Sequence, residues 1–132
     1  MKKLFQKKSV EKEIKSKNTD LVEETGLVDP DYNRKKLFKT GVNLMADEKL
    51  EEAAVIFEQA LRIEPNNIET LMKLGYARFH LEEYNESLKI YDKILDIDVT
   101  NPEAWNLKAL VHYEQKNYSK ALDAIEKAVE SD

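Results

Sequence analysis

The stretch RKKLFKTGVNLMADEKLEEAAVIFEQALRIEPNN, residues 34–67, decides the fold because its outline returns twice without a gap, over residues 68–101 and 102–132. Counted within each unit, the fourth position holds Leu37, Leu71 and Trp105, the eighth Gly41, Gly75 and Ala109, and the twentieth Ala53, Ser87 and Ala121. Large apolar residues come back at the twenty-fourth position (Phe57, Tyr91, Ile125) and at the twenty-eighth (Leu61, Leu95, Val129). A fixed period of 34 residues is the mark of stacked helical hairpins, each burying its apolar face on a neighbour because it cannot do so alone. The small residues have a steric reason: two helices of one hairpin approach closely only where no bulky side chain separates their backbones.

Hydrophobic periodicity places the first helix of each hairpin at about 34–46, 68–81 and 102–115, and the second at about 50–63, 84–97 and 118–130. Pro102 suits a first helical turn, where its missing N–H is not needed, and Asn101 before it is a good cap. Asp29-Pro30 offers the same device one turn ahead of the first unit. The acid pairs Glu51-Glu52 and Glu82-Glu83 fall in or beside the first turn of a second helix, where they oppose the positive end of its dipole. That structural role outweighs paired-carboxylate catalysis.

Composition agrees with a helical scaffold. Charged residues make up 36% of the chain, there are three Gly and three Pro, and no long apolar run would span a membrane. The chain has no Cys, which fits a reducing compartment, and the basic start Met1-Lys2-Lys3-Leu4-Phe5-Gln6-Lys7-Lys8 lacks the apolar stretch of a secretory signal. A cytoplasmic location is expected. The net charge of −5 resides in the repeats: residues 34–132 carry 14 Lys and Arg against 19 Asp and Glu, whereas residues 1–33 carry seven of each. Within that leader, residues 1–17 stand at +5 and residues 18–33 hold five acids and no base. Phosphate affinity rests on Lys and Arg, so nucleic acid is not expected as a partner. A mixed Lys and Glu leader reads as a solvated segment.

The repeated positions resemble the tetratricopeptide repeat, whose motif reads W, L, G, Y, A, F, A, P at positions 4, 7, 8, 11, 20, 24, 27 and 32. The first unit matches at Leu37, Gly41, Leu44, Ala53, Phe57, Ala60 and Pro65, and the third has Trp105, Ala109, Ala121, Ile125 and Ala128. Departures cluster in the second unit, where Arg78 takes the aromatic position 11, Ile94 the small position 27 and Val99 the proline position. Arg78 is expected to pack its stem and to send its charge outward or onto Tyr91. The resemblance implies an all-α fold, a right-handed α-solenoid of three antiparallel helix hairpins over residues 34–132, preceded by the charged leader 1–33. It implies a scaffold for protein–protein interaction, with no cofactor and no catalytic residue.

In this repeat type, positions 2, 5, 9 and 12 of the first helix line a concave groove, and the last three of these carry its apolar stripe. Here they hold Phe38, Val42 and Met45, then Met72, Tyr76 and Phe79, then Asn106, Leu110 and Tyr113. Eight of these nine are apolar or aromatic, more than a solvated wall needs. Met adapts its shape and Tyr offers a flat face with a polar tip, so the expected ligand is a peptide or partner helix with apolar anchors. The competing reading is that part of the stripe completes the hairpin packing. Lys39 and Lys73, at position 6 of adjacent units, could pair with an acid on a ligand. Chaperone-binding members hold a terminal carboxylate with a clamp whose places are filled here by Phe38, Val42, Lys73, Glu103 and Leu107, none of them matching.

The ends of the array carry a second expectation. Positions 3 and 10 of the first helix, which meet the preceding hairpin, are Thr70, Ala77, Ala104 and Val111 in the later units but Lys36 and Asn43 in the first. The leader is therefore not expected to be another repeat. Its Leu4, Phe5, Val10 and Ile14 make a weak stripe that Thr25-Gly26 interrupts. Leu122, Ile125 and Val129 lie where a following helix would cover them, and burial is worth about 1.5 to 3 kcal/mol for each such side chain. Three readings stay open: the natural protein continues as a longer repeat protein, the face or the groove makes a homodimer, or the leader folds onto the groove or onto this end. An enzyme is the poorest reading. His80 and His112 are not paired for a metal, and there is no Gly-rich phosphate loop. His80 is expected at the groove edge and His112 inside its hairpin.

Overall fold

The computed structural model describes residues 30–130. These form six helices, α1 (Pro30–Ala46), α2 (Leu50–Ile63), α3 (Ile68–His80), α4 (Tyr84–Ile97), α5 (Pro102–Glu114) and α6 (Tyr118–Glu130), with no strand among the described residues. The all-α class read from the repeat therefore holds. Helix ends fall within a residue of the periodicity, and α1 opens at Pro30, one turn before residue 34. Most of the leader, residues 1–29, lies outside the described residues, and its weak stripe and the Thr25-Gly26 break with it.

Three turns of one design join the helices of each hairpin. Glu48, Glu82 and Lys116, 34 residues apart, all take a left-handed backbone, with φ of 61, 62 and 64°. Each residue donates its N–H back three residues, to Met45, Phe79 and Tyr113, and the next N–H reaches back five, to Leu44, Arg78 and His112, at 2.8–3.0 Å. This paired pattern satisfies carbonyls that a helix end would otherwise leave open. The entry to α3 and α5 is capped differently: Asn67 accepts from the Thr70 N–H and Asn101 from the Ala104 N–H, each at 2.9 Å.

The chain divides into two compact units, Met1–Pro65 and Asn66–Asp132. In the first, Leu37, Val55, Ile56 and Ala60 form the core of the α1–α2 hairpin, with Leu44 against them. Arg34 ties the start of α1 to the end of α2 through Glu64 at 2.7 Å, while also holding Asp31 at 3.0 Å. The Phe57 ring is fully buried and lies over Gly41, where an added Cβ would come within 2.5 Å of it.

The second unit repeats that contact and then varies it. Tyr91 of α4 is buried and lies over Gly75, again 2.5 Å from where a Cβ would stand, and Ser87 Oγ donates to the Gly75 carbonyl at 2.9 Å. Ile94, the bulky departure at position 27, is fully buried beside it. Next, α5 packs on α4 through the fully buried Ala104 and Val111 and through the Lys108–Asp92 ion pair at 2.7 Å. Trp105 anchors the crossing: its indole N–H donates to the Val99 carbonyl at 3.1 Å, with the Lys108 ammonium 5.3 Å from the ring centre. Helix α6 turns Ala121, Ala124 and Ala128 toward α5.

Candidate functional site

Helix geometry puts positions 5, 9 and 12 on one face, and none of the nine residues there is buried. In the second unit, α3 carries Met72 and Phe79 half-buried and Tyr76 44% exposed. On α5 the same positions hold the exposed Asn106, Leu110 at 42% and Tyr113 at 58%. In the first unit, α1 carries Phe38, Val42 and Met45, all half-buried. Lys39 is exposed and Lys73 half-buried. Exposed aromatic and branched side chains at matching places on α3 and α5 are one apolar feature that the hairpins do not fully consume.

Three stripe residues do part of the work of closing their own hairpins. The Phe38 ring lies 6.0 Å from Phe57, and the Phe79 ring 5.7 Å from Tyr84 at the start of α4. Tyr113 likewise meets Tyr118 across the third turn, at 5.5 Å. The competing reading of the stripe thus applies to Phe38, Phe79 and in part to Tyr113, which still leaves 58% of its surface open, while Tyr76 and Leu110 present their side chains outward.

His80 sits beside the stripe on α3, 4.3 Å from Tyr76 and 5.1 Å from Phe79 between ring centres. His112 lies inside its hairpin, and its Nδ1 is buried with no hydrogen-bond partner. Burial, helped by the charges of Lys108 and Lys120, holds the His112 imidazole below its ordinary pKa, with Asp92 opposing. No group of three His, Cys, Asp or Glu among the described residues would hold a metal ion. No helix there is long and apolar enough to cross a membrane.

The structure gives the charge of Arg78 a definite partner. Arg78 turns its charge to Glu83, at 2.8 Å, rather than to open water. Glu83 stands immediately before α4, beside its first turn, makes no side-chain capping bond, and pairs its carboxylate with Arg78. Glu51 and Glu52 do stand in the first turn of α2. A pairing five residues along, across a turn, leaves no periodic trace in sequence.

At the far end of the second unit, Leu122, Ile125 and Val129 of α6 are 56, 46 and 68% exposed. A shallow cleft of about 290 Å³ opens nearby between Val99, Thr100, Trp105, Lys127 and Glu130, none of them a stripe residue.

Comparison with known proteins bears on this geometry. A family model described as tetratricopeptide repeat matches residues 44–111, and a second of the same description matches residues 102–132. No curated protein matches the sequence. Among solved structures, MamA from Desulfovibrio magneticus RS-1 is similar at TM-score 0.68 and 21% identity, covering 79% of this chain and 56% of that one. The Sgt2 TPR domain from Aspergillus fumigatus is similar at TM-score 0.70 and 24% identity, covering 74% and 65%. The first TPR of Spaghetti (RPAP3), bound to the HSP90 peptide SRMEEVD, is similar at TM-score 0.72 and 15% identity, covering 80% and 82%. The chain thus spans about three fifths of the MamA and Sgt2 chains, and identities this low establish a shared fold.

Proposed function

The chain belongs to the tetratricopeptide repeat family, and from that premise we propose that it is a non-catalytic scaffold whose first-helix stripes receive a peptide or partner helix through apolar anchors. The observation that carries this reading is the outward display of Tyr76 on α3 and of Leu110 and Tyr113 on α5. A flat aromatic face loses little conformational freedom when covered, so such residues bind another chain at low entropic cost. Phe38, Val42, Met45 and Met72 extend the same character at equivalent positions, with Lys39 and Lys73 available to an acid on the ligand. The fold is known to admit peptides: the Spaghetti domain is solved with one. That peptide is acidic, and this chain has Phe38, Val42, Lys73, Glu103 and Leu107 at the places of the carboxylate clamp, so its ligand is of another kind. The scaffold works in a reducing, cytoplasm-like compartment and does not use nucleic acid as its main partner.

A library of random twelve-residue peptides selected against the full chain tests this. Selected peptides should lose at least tenfold in affinity on the double substitution Tyr76→Ala, Leu110→Ala, whose side chains the hairpins do not need. Equal binding by both proteins would remove the stripe from consideration.

The exposed Leu122, Ile125 and Val129 favour a second reading, self-association through α6. Mass measured across a hundredfold range of protein concentration decides it: a strict monomer at the top of the range rejects the homodimer.

A further inference from the structure

The turn end of the second hairpin carries a cluster of rings larger than the pair that helps close it. Phe79 and Tyr84 face each other across the turn at 5.7 Å, and His80 joins them at 5.1 Å from Phe79 and 4.3 Å from Tyr76. In the first hairpin the places of Phe79, His80 and Tyr84 are filled by Met45, Ala46 and Leu50, and that hairpin closes through the same turn. Aliphatic side chains therefore suffice for closure; the third hairpin keeps one ring pair, Tyr113 with Tyr118 at 5.5 Å, and the second adds His80 and Tyr76 to its pair. Aromatic faces carry negative potential and attract a cation placed over them.

Two carboxylates border this cluster, one along the chain and one at the neighbouring end of α5. Glu82, in the left-handed turn position, and Glu114, the last residue of α5, are both exposed. Gln115 Nε2 donates to Asn85 Oδ1 at 3.4 Å, which fixes the end of α5 beside the start of α4, where Tyr84 precedes Asn85. Burial first, and then the charges of Glu82 and Glu114, raise the Tyr84 phenol above its ordinary pKa. Two cations of α3 and α5 are engaged elsewhere, Arg78 with Glu83 and Lys108 with Asp92.

We propose that this place is a cation-accepting subsite, in which a Lys or Arg of the bound peptide lies against Tyr76, Phe79, His80 and Tyr84 with its charge toward Glu82 and Glu114. The inference rests on the stripe reading above and names the chemistry of its occupant: a basic segment with apolar anchors. An acidic peptide meets repulsion from the same carboxylates and rings. Charge complementarity runs through the repeats as a whole, since residues 34–132 are five charges negative.

The peptides selected from the random library supply the test. Each Lys or Arg in the tightest binders is exchanged for norleucine, which keeps the stem and removes the charge. Against the full wild-type chain, one such exchange should weaken binding about five- to tenfold, as expected for a partly desolvated cation over rings. Against Tyr84→Leu and, separately, Glu114→Gln, the same exchange should change affinity less than twofold. Circular dichroism establishes that both variants fold, and Glu114→Gln alters only an exposed side chain. Selected peptides with no excess of basic residues, or an exchange that costs as much in the variants as in the wild type, overturn the subsite. Loss on Tyr76→Ala, Leu110→Ala in those same peptides would then leave the stripe reading standing. A library that yields no binder at all rejects the stripe and the subsite together.

Discussion

The second and third hairpins are written in the same pattern and meet opposite fates. Tyr91 and Ile125 share the twenty-fourth position, yet Tyr91 is 1% exposed and Ile125 is nearly half exposed; Leu95 and Val129 share the twenty-eighth and differ likewise. The difference is the next helix. In the second hairpin, α5 packs on α4, whereas no described helix packs on α6 in the same way. The apolar pattern of a unit thus encodes the neighbour it expects as much as its own closure, which is the sense in which such an array is one-dimensional.

The strongest way to break the comparison is to truncate the shared position. Tyr91→Ala should cost about 3 to 5 kcal/mol, since it empties a fully covered site, whereas Ile125→Ala should cost less than about 1 kcal/mol. Urea unfolding of the two variants measures both. Similar losses would mean that α6 is covered in solution.

A second substitution sharpens the steric part. Gly75→Ala drives a Cβ into the Tyr91 ring and should destabilise by about 1 to 3 kcal/mol, even though Ala is the better helix former. Adding Tyr91→Ile copies the Ala109 and Ile125 pair of the third hairpin and should recover part of that loss. If the double variant is no better than the sum of its parts, the ring is not what the glycine serves.

The turns offer a smaller effect that should be alike in both hairpins. Glycine at Glu82 or at Lys116 removes the penalty of a left-handed backbone and should stabilise by about 1 kcal/mol. Read by urea midpoint, a gain at one turn and a loss at the other would separate two turns that look the same. Smallest is a pH effect confined to the third hairpin. His112 resists protonation when folded, so the unfolded chain takes up its proton first, and stability should decline as pH falls below about 6.5 toward the lower folded value. His112→Leu should flatten the change in urea midpoint between pH 7 and pH 5.5.

Much of this was legible in the residues because the period is strict. Leu37, Leu71 and Trp105 set the phase, and the phase set the helices; the Asp29-Pro30 device even marked the early opening of α1. The stripe was legible as a face, but not the division within it. Phe79 closes a hairpin while Tyr76 does not, and only the position of Tyr84 across the turn decides this. The left-handed turns were hidden because Glu48, Glu82 and Lys116 are not glycine or asparagine, the residues that advertise such a backbone. Arg78 was out of place for its position, yet its answer, Glu83, follows from turn geometry that one-residue periodicity does not encode.

Trp105 is the chain's single tryptophan, and its indole spans the junction between α4 and α5. Its emission is therefore a local optical reporter of that one seam, quenched or shifted when the Val99 carbonyl and the Lys108 ammonium withdraw. Helical ellipticity averages over every helix of the chain. If heating moved the fluorescence before the ellipticity, the array would be coming apart link by link rather than as one cooperative body.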